Sequence, residues 1–127
     1  MRVADDLVKP NGIIGTPDGR TLYIADHGAG QTYGYDIASD GSLSGKTLVA
    51  DRGSDGMTLD TDGNLFLTGE GVTVVGRTAV RSSGFSVPER WTANVSFGGK
   101  ERRTLFITAS RGLYGVRMRV RGADAAK

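Results

Sequence analysis

Asn11, Asp55 and Asn94 each open a short apolar strand, 44 and 39 residues apart, and each carries a side-chain oxygen. Two amides and a carboxylate brought to one place are hard oxygen donors, a set that suits Ca²⁺ better than a softer metal. A cation held there polarises a carbonyl and stabilises the charge that develops on its oxygen. The chain has one histidine, His27, and no cysteine. Thiolate zinc sites, disulfides and thiol nucleophiles are therefore excluded, and a catalytic zinc built from several imidazoles is disfavoured. Asn and Asp before Gly are also ordinary turn residues. The pattern alone leaves a metal site and a repeated turn both standing.

The elements that must position these residues repeat. With the three residues aligned, "NGIIGTPDGRTLYIAD", "DGMTLDTDGNLFLTG" and "NVSFGGKERRTLFITA" share an apolar strand, a polar turn and a second strand at Leu22–Ala25, Leu65–Thr68 and Leu105–Thr108. Asp18-Gly19 and Asp62-Gly63 supply the positive φ that tight hairpin turns need. Further strands are expected at "QTYGYDI" and "KTLVAD", then "GVTVVG" and "GFSV", then "GLYGVRM". About four short strands per unit, at a spacing near 40 residues, predict the blades of a β-propeller rather than a sandwich. The expected organisation is a partial propeller over residues 1–122, with units near 11–54, 55–93 and 94–122, and a disordered tail at 123–127. Three blades do not close a ring of the usual four to eight. The first strand of each blade lines the channel, which places Asn11, Asp55 and Asn94 near one mouth.

Composition bounds the partners. The chain has 127 residues, 20 of them glycine, which favours turns over long helices. A net charge of +2 does not make a polycation, and no nucleic-acid partner is expected. Arg117, Arg119 and Arg121 alternate with Met118 and Val120 in the period of a half-buried strand. No apolar run is long enough for a membrane helix and no signal-peptide core is present, so the default expectation is cytoplasmic, with periplasmic or secreted placement if the true N-terminus lies upstream. Ser82-Ser83-Gly84 has no paired histidine to activate a serine.

Three motifs carry a family resemblance: Pro10-Asn11-Gly12, Ser54-Asp55-Gly56-Met57 and Phe97-Gly98-Gly99, in order and at blade spacing. Together the chain resembles the C-terminal half of the gluconolactonase family, which includes senescence marker protein and luciferin-regenerating enzyme, from about Lys9 to Gly122. The resemblance implies a six-bladed, all-β propeller that holds one divalent cation in its channel and hydrolyses sugar lactones. It implies Asn11 and Asp55 as metal ligands, Asp55 also as the catalytic general base, and Ca²⁺ as the cofactor, with Zn²⁺ or Mg²⁺ as alternatives. Asn94 and Trp91 are expected at the substrate pocket. Two family positions, a Glu and an Asn, would fall before Met1, so the chain is expected to be N-terminally truncated to about three of six blades.

The resulting expectation is a lactone substrate, hydrolysis by a channel cation with Asp55 as base, and an isolated chain that is inactive or nearly so. Self-association through uncovered blades is expected. The alternatives are a non-enzymatic binding propeller and a hydrolase of other esters such as organophosphates.

Overall fold

A computed structural model describes residues 1–76 and 82–123. Every regular element among them is a strand, and they form three antiparallel sheets. The first sheet runs β1 (Pro10–Gly15), β2 (Thr21–Asp26), β3 (Gln31–Ile37), β4 (Leu43–Ala50). The second runs β5 (Met57–Leu59), β6 (Leu65–Gly69), β7 (Gly71–Val75), β8 (Ser82–Phe85). The third has three strands, β9 (Thr92–Gly98), β10 (Thr104–Ala109) and β11 (Gly112–Arg117). In each sheet the strands lie side by side in chain order, the meander of a propeller blade.

The hairpin turns follow from local chemistry. Gly19 and Gly63 adopt φ of 75° and 83°, the left-handed region that glycine enters without steric cost. In the first turn Asp18 Oδ1 accepts from the Arg20 N–H at 2.9 Å and from the Thr16 hydroxyl at 2.6 Å. In the second, buried Asp60 does the bonding, with Oδ1 accepting from the Asp62 and Asn64 N–H groups at 2.9 Å.

Adjacent sheets pack face to face through apolar side chains. Phe66 and Val72 of the second sheet meet Val95, Phe97, Leu105 and Ile107 of the third, with Phe66 and Phe97 edge to face at 5.3 Å. Ala25 of the first joins Met57, Leu59, Leu65 and Leu67 of the second. The alternation in β10 shows the cause: Leu105 and Ile107 are buried while Phe106 and Thr108 are exposed, because successive side chains leave a strand on opposite faces. Burial of these aliphatic and aromatic groups is the main favourable term holding the stack together.

Several boundaries differ from the sequence expectation. Strand β4 begins three residues before Lys46, and β8 ends at Phe85 instead of continuing through Val87. The third unit contributes three strands where four were expected, and β11 stops at Arg117. The exposed–half-buried alternation nevertheless continues from Arg117 to Arg121, carried by a segment in which the Met118 N–H donates to the Arg103 carbonyl at 2.7 Å. Ala123, expected in the tail, packs against the second core cluster; residues 124–127 of that expected tail lie outside the described residues. Among the described residues no helix is long and apolar enough to cross a membrane.

Asp26 ties the segment preceding β1 to the end of β2. Its carboxylate is 1% exposed and accepts the Val8 and Lys9 N–H groups at 2.8 Å each and that of Ala29 at 3.3 Å. Burial by itself pushes this carboxyl up, but the backbone donors of Lys9, Val8, Ala29 and Gly28 outweigh it and hold it below the ordinary 3.8. A carboxyl depressed in the folded state stabilises above its unfolded value and loses that contribution as pH falls through its folded value. Wild type should therefore lose stability in acid, and Asp26→Asn should be less stable at neutral pH and show a flatter acid limb. Thermal melts between pH 7 and pH 3 check this; parallel curves for the two proteins would refute it.

Candidate functional site

The innermost strands β1, β5 and β9 bring their openings together, so residues far apart in sequence become neighbours. Asn11 Nδ2 donates to Asp55 Oδ1 at 2.9 Å across 44 residues. Asn94 opens onto the same hollow, of about 470 Å³, which is lined by Asn11, Asp55, Asn94 and Thr108 among others. The three oxygen-bearing residues expected in one column thus surround one cavity. Asn94 turns its Oδ1 to the Val95 N–H at 2.9 Å and does not bond Asp55.

Glycine makes this convergence possible. A Cβ on Gly12 would overlap the backbone carbonyl oxygen of Asp55, and one on Gly56 would overlap the Asn94 side chain. The glycine after each site residue is therefore the space into which the next blade's site residue fits.

Beneath Asp55 lies a set of buried hydroxyls. Ser54 Oγ accepts the Thr68 N–H at 2.8 Å and donates to the Gly56 carbonyl at 2.8 Å. Thr68 Oγ1 also reaches the Gly56 carbonyl at 2.8 Å, and the Gly56 N–H donates to the Ala93 carbonyl at 2.7 Å. The two peptides flanking Gly56, the first of which carries the Asp55 carbonyl, are thus pinned to β6 and β9. Ser54 and Thr68 satisfy polar groups that burial would otherwise leave costly.

Trp91, expected to help shape the pocket, sits beside Asp55 and donates its indole N–H to Asp55 Oδ2 at 3.2 Å. Each oxygen of this carboxylate thus has its own N–H donor. Gly69, at φ 147°, would place a Cβ 3.6 Å from the indole edge. His27 meets the indole edge to face, with centroids 6.2 Å apart. Read from sequence, His27 is a bystander in a surface loop; folded, it lines a second hollow of about 310 Å³ with Arg52, Glu70 and Trp91. The usable sequence signal was positional: the residue after β2 falls at the same end of its sheet as the residue that opens β1. Phe97, by contrast, is core, packed on Phe66.

The donor set agrees with a hard cation in kind. The Asn11 amide and the Asp55 carboxylate present oxygen, and the sulfur lining the same hollow is the thioether of Met57, a buried core side chain. In number they fall short of the six to eight oxygens that Ca²⁺ takes. Among the described residues no group of three or more His, Asp or Glu side chains gathers to hold a metal.

Comparison with known proteins gives the same direction. A 6-deoxy-6-sulfogluconolactonase of Pseudomonas putida is 30% identical over 118 residues, covering 86% of this chain and 40% of that protein. A gluconolactonase of Zymomonas mobilis is 30% identical over 131 residues, covering 91% of this chain and 36% of that protein. The chain thus spans well under half the length of these curated relatives. Among solved structures, a regucalcin of Agrobacterium tumefaciens described as a calcium-binding protein superposes with a TM-score of 0.83 at 22% identity, over 96% of this chain and 50% of that one. That likeness establishes the fold, a partial propeller of three sheets. With the family model for the SMP-30/gluconolactonase/LRE-like region matching residues 1–111, the chain belongs to that family.

Proposed function

We propose that this chain carries part of the active site of a calcium-dependent lactone hydrolase, with Asn11 and Asp55 as cation ligands and Asp55 as the general base. The observation that supports this reading most directly is the pairing of Asn11 and Asp55 across the blade junction at 2.9 Å, beside an open hollow. The named relatives that act on gluconolactones and the calcium-binding neighbour support the substrate class and the ion.

When bound, the cation supplies the positive charge that polarises the lactone carbonyl and stabilises the oxyanion. The chain's own residues do the rest. Asp55 takes a proton from the attacking water and returns it to the ring oxygen as the C–O bond breaks, giving the open hydroxy acid. Asn11 and Trp91 hold the two carboxylate oxygens in place, so that the base does not have to be ordered at the moment of reaction. Asn94 and Thr108 line the wall where a polyhydroxylated ring would find hydrogen-bond partners.

Because two side chains supply few of the oxygens a calcium ion takes, the isolated chain should bind Ca²⁺ weakly, with Kd on the order of 10⁻³ M, the range of weak extracellular modules. Calorimetric titration with CaCl₂, and a pH-stat assay of glucono-lactone opening with Ca²⁺ or a chelator, test the proposal. Weak Ca²⁺ binding and a trace of turnover that the chelator removes are the expected result. Absence of any Ca²⁺ binding, or turnover indifferent to the chelator, would refute it.

A further inference from the structure

The second hollow adjoins the first across the Trp91–Asp55 hydrogen bond. Asp55 and Ala93 line the first, and their near neighbours Ser54 and Trp91 line the second. The indole thus holds the carboxylate with its N–H at 3.2 Å and gives its ring to the second hollow, where it stays 40% exposed. An open indole among polar groups is a surface that a ring with one apolar face can cover.

Three further side chains stand around this hollow, and the backbone under each is tied by a buried polar group. His27 sits in the turn after β2, where buried Asp26 accepts the Ala29 N–H at 3.3 Å and the Gly30 N–H donates to the His27 carbonyl at 3.3 Å. Arg52 follows β4, and its carbonyl accepts the hydroxyl of fully buried Thr32 at 2.8 Å. Glu70 is the single residue between β6 and β7, at the tip of a turn closed by Gly69 and Gly71 at φ of 147° and 70°. The buried Thr92 hydroxyl accepts the Gly69 N–H at 2.8 Å and reaches the carbonyls of Gly69 and Gly71. Thr92 follows Trp91 in the chain, so one anchor holds both the Glu70 turn and the backbone of the indole. His27, Arg52 and Glu70 are exposed above a fixed backbone, the arrangement of a preformed site.

The lining selects by charge. Arg52 repels a cation and Glu70 repels an anion, and both face the same hollow. A neutral ligand rich in hydroxyls suits the two together, since each hydroxyl can donate to the Glu70 carboxylate or accept from the Arg52 guanidinium. Arg52 uses one of its nitrogens on Thr73 Oγ1, and His27 can add a donor or an acceptor. The volume of about 310 Å³ lies at the small end of ligand pockets and suits a single ring.

We infer that the second hollow is a subsite for a neutral sugar ring joined to the lactone. The substrate is then a glycosyl-aldonolactone, with its lactone end at Asp55 and its second ring against Trp91. The lactone end of this assignment rests on the hydrolytic reading above, whereas the sugar subsite does not. Water opens the lactone to the hydroxy acid, and the glycosidic bond between the rings stays intact.

Trp91 is the single tryptophan, so its fluorescence reports on the second hollow without metal or turnover. Cellobiose or maltose, neutral disaccharides of the two linkages, should give a saturable change with Kd on the order of 1 mM. Arg52→Ala and Glu70→Ala, both at exposed positions, should each weaken it about tenfold. Gluconate and glucosamine, one negative and one positive, should bind about tenfold more weakly than the disaccharide. Circular dichroism checks that each variant stays folded. With Ca²⁺ present, the lactone of the disaccharide that binds should be opened with kcat/KM about tenfold above glucono-lactone, as the added ring contributes binding. Both variants should lose that preference and open glucono-lactone as wild type does. No response to either disaccharide, a response that both variants keep, or tighter binding of gluconate would overturn the subsite. Disaccharide binding with no Ca²⁺-dependent turnover would keep the sugar subsite and overturn the hydrolytic reading instead.

Discussion

Calcium binding should be lost from an Asp55→Asn variant of this chain. The substitution keeps the side-chain shape but removes the only formal charge in the Asn11–Asp55 pair and replaces one acceptor oxygen by an NH₂ group. Both oxygens of Asp55 face N–H donors, from Asn11 at 2.9 Å and from Trp91 at 3.2 Å. Whichever way the new amide turns, one donor meets another donor and a hydrogen bond is lost. Affinity should fall about a hundredfold or more, because charge count is what tunes a calcium site. In a protein with full turnover the rate should fall about a thousandfold, the scale on which a general base acts. Calorimetry measures the affinity directly. Since Trp91 is the chain's single tryptophan, its fluorescence should respond to Ca²⁺ in wild type and stay unchanged in the variant. The melting temperature should move little, as Asp55 is only half-buried. Undiminished binding would place the cation elsewhere.

Gly12→Ala should disrupt the fold as well as the site. The added methyl would coincide with the carbonyl oxygen of Asp55 and come within 3.2 Å of the Met57 terminal methyl. The first obstacle is backbone, and that backbone is held from both sides by the Ser54 and Thr68 hydroxyls and by the Gly56 N–H on Ala93. It therefore has nowhere to retreat, and β1 must separate from β5. The cost should be about 3 kcal/mol, at the upper end for inserting bulk into a packed region, which lowers the melting temperature by on the order of 10 °C. Gly56→Ala serves as the control. Its methyl would meet the exposed Asn94 side chain, whose amide can rotate away although its Cβ, 2.9 Å off, must give slightly, so the loss should be smaller than for Gly12→Ala, where the obstacle is backbone. Equal melting temperatures for Gly12→Ala and wild type would show that the blades separate freely at this point.

Much of the architecture was legible before folding was considered. The hairpins repeat because each blade solves the same problem with the same local devices, an apolar alternation of period two and a glycine at positive φ in the turn. Strands β2, β3 and β6 accordingly lie where their patterns stand in the sequence. Boundaries shifted where local signals are weak. Strand β4 extends back through Leu43-Ser44-Gly45 because β3 offers it a ladder, with Ile37 opposite Leu43 and Asp36 opposite Ser44. Such pairing is set by the neighbour and not by the segment's own propensity. The Met118–Val120 alternation has the right period but no strand, because period alone does not supply a partner to bond with.

The sequence by itself determined the all-β repeat, the tight turns and the column of oxygen-bearing residues at strand openings, since all of these depend on neighbours a few positions away. Only the tertiary structure decided that Asn11 and Asp55 touch, that Trp91 supplies the second donor to that carboxylate, that His27 stands against Trp91, and that Val8 and Lys9 satisfy Asp26. Those contacts join residues 17 to 64 positions apart, the Asp26 pair within the first blade and the others between blades. No local period encodes such a meeting, because it follows from how whole sheets pack and where glycine leaves room for the chain that crosses it.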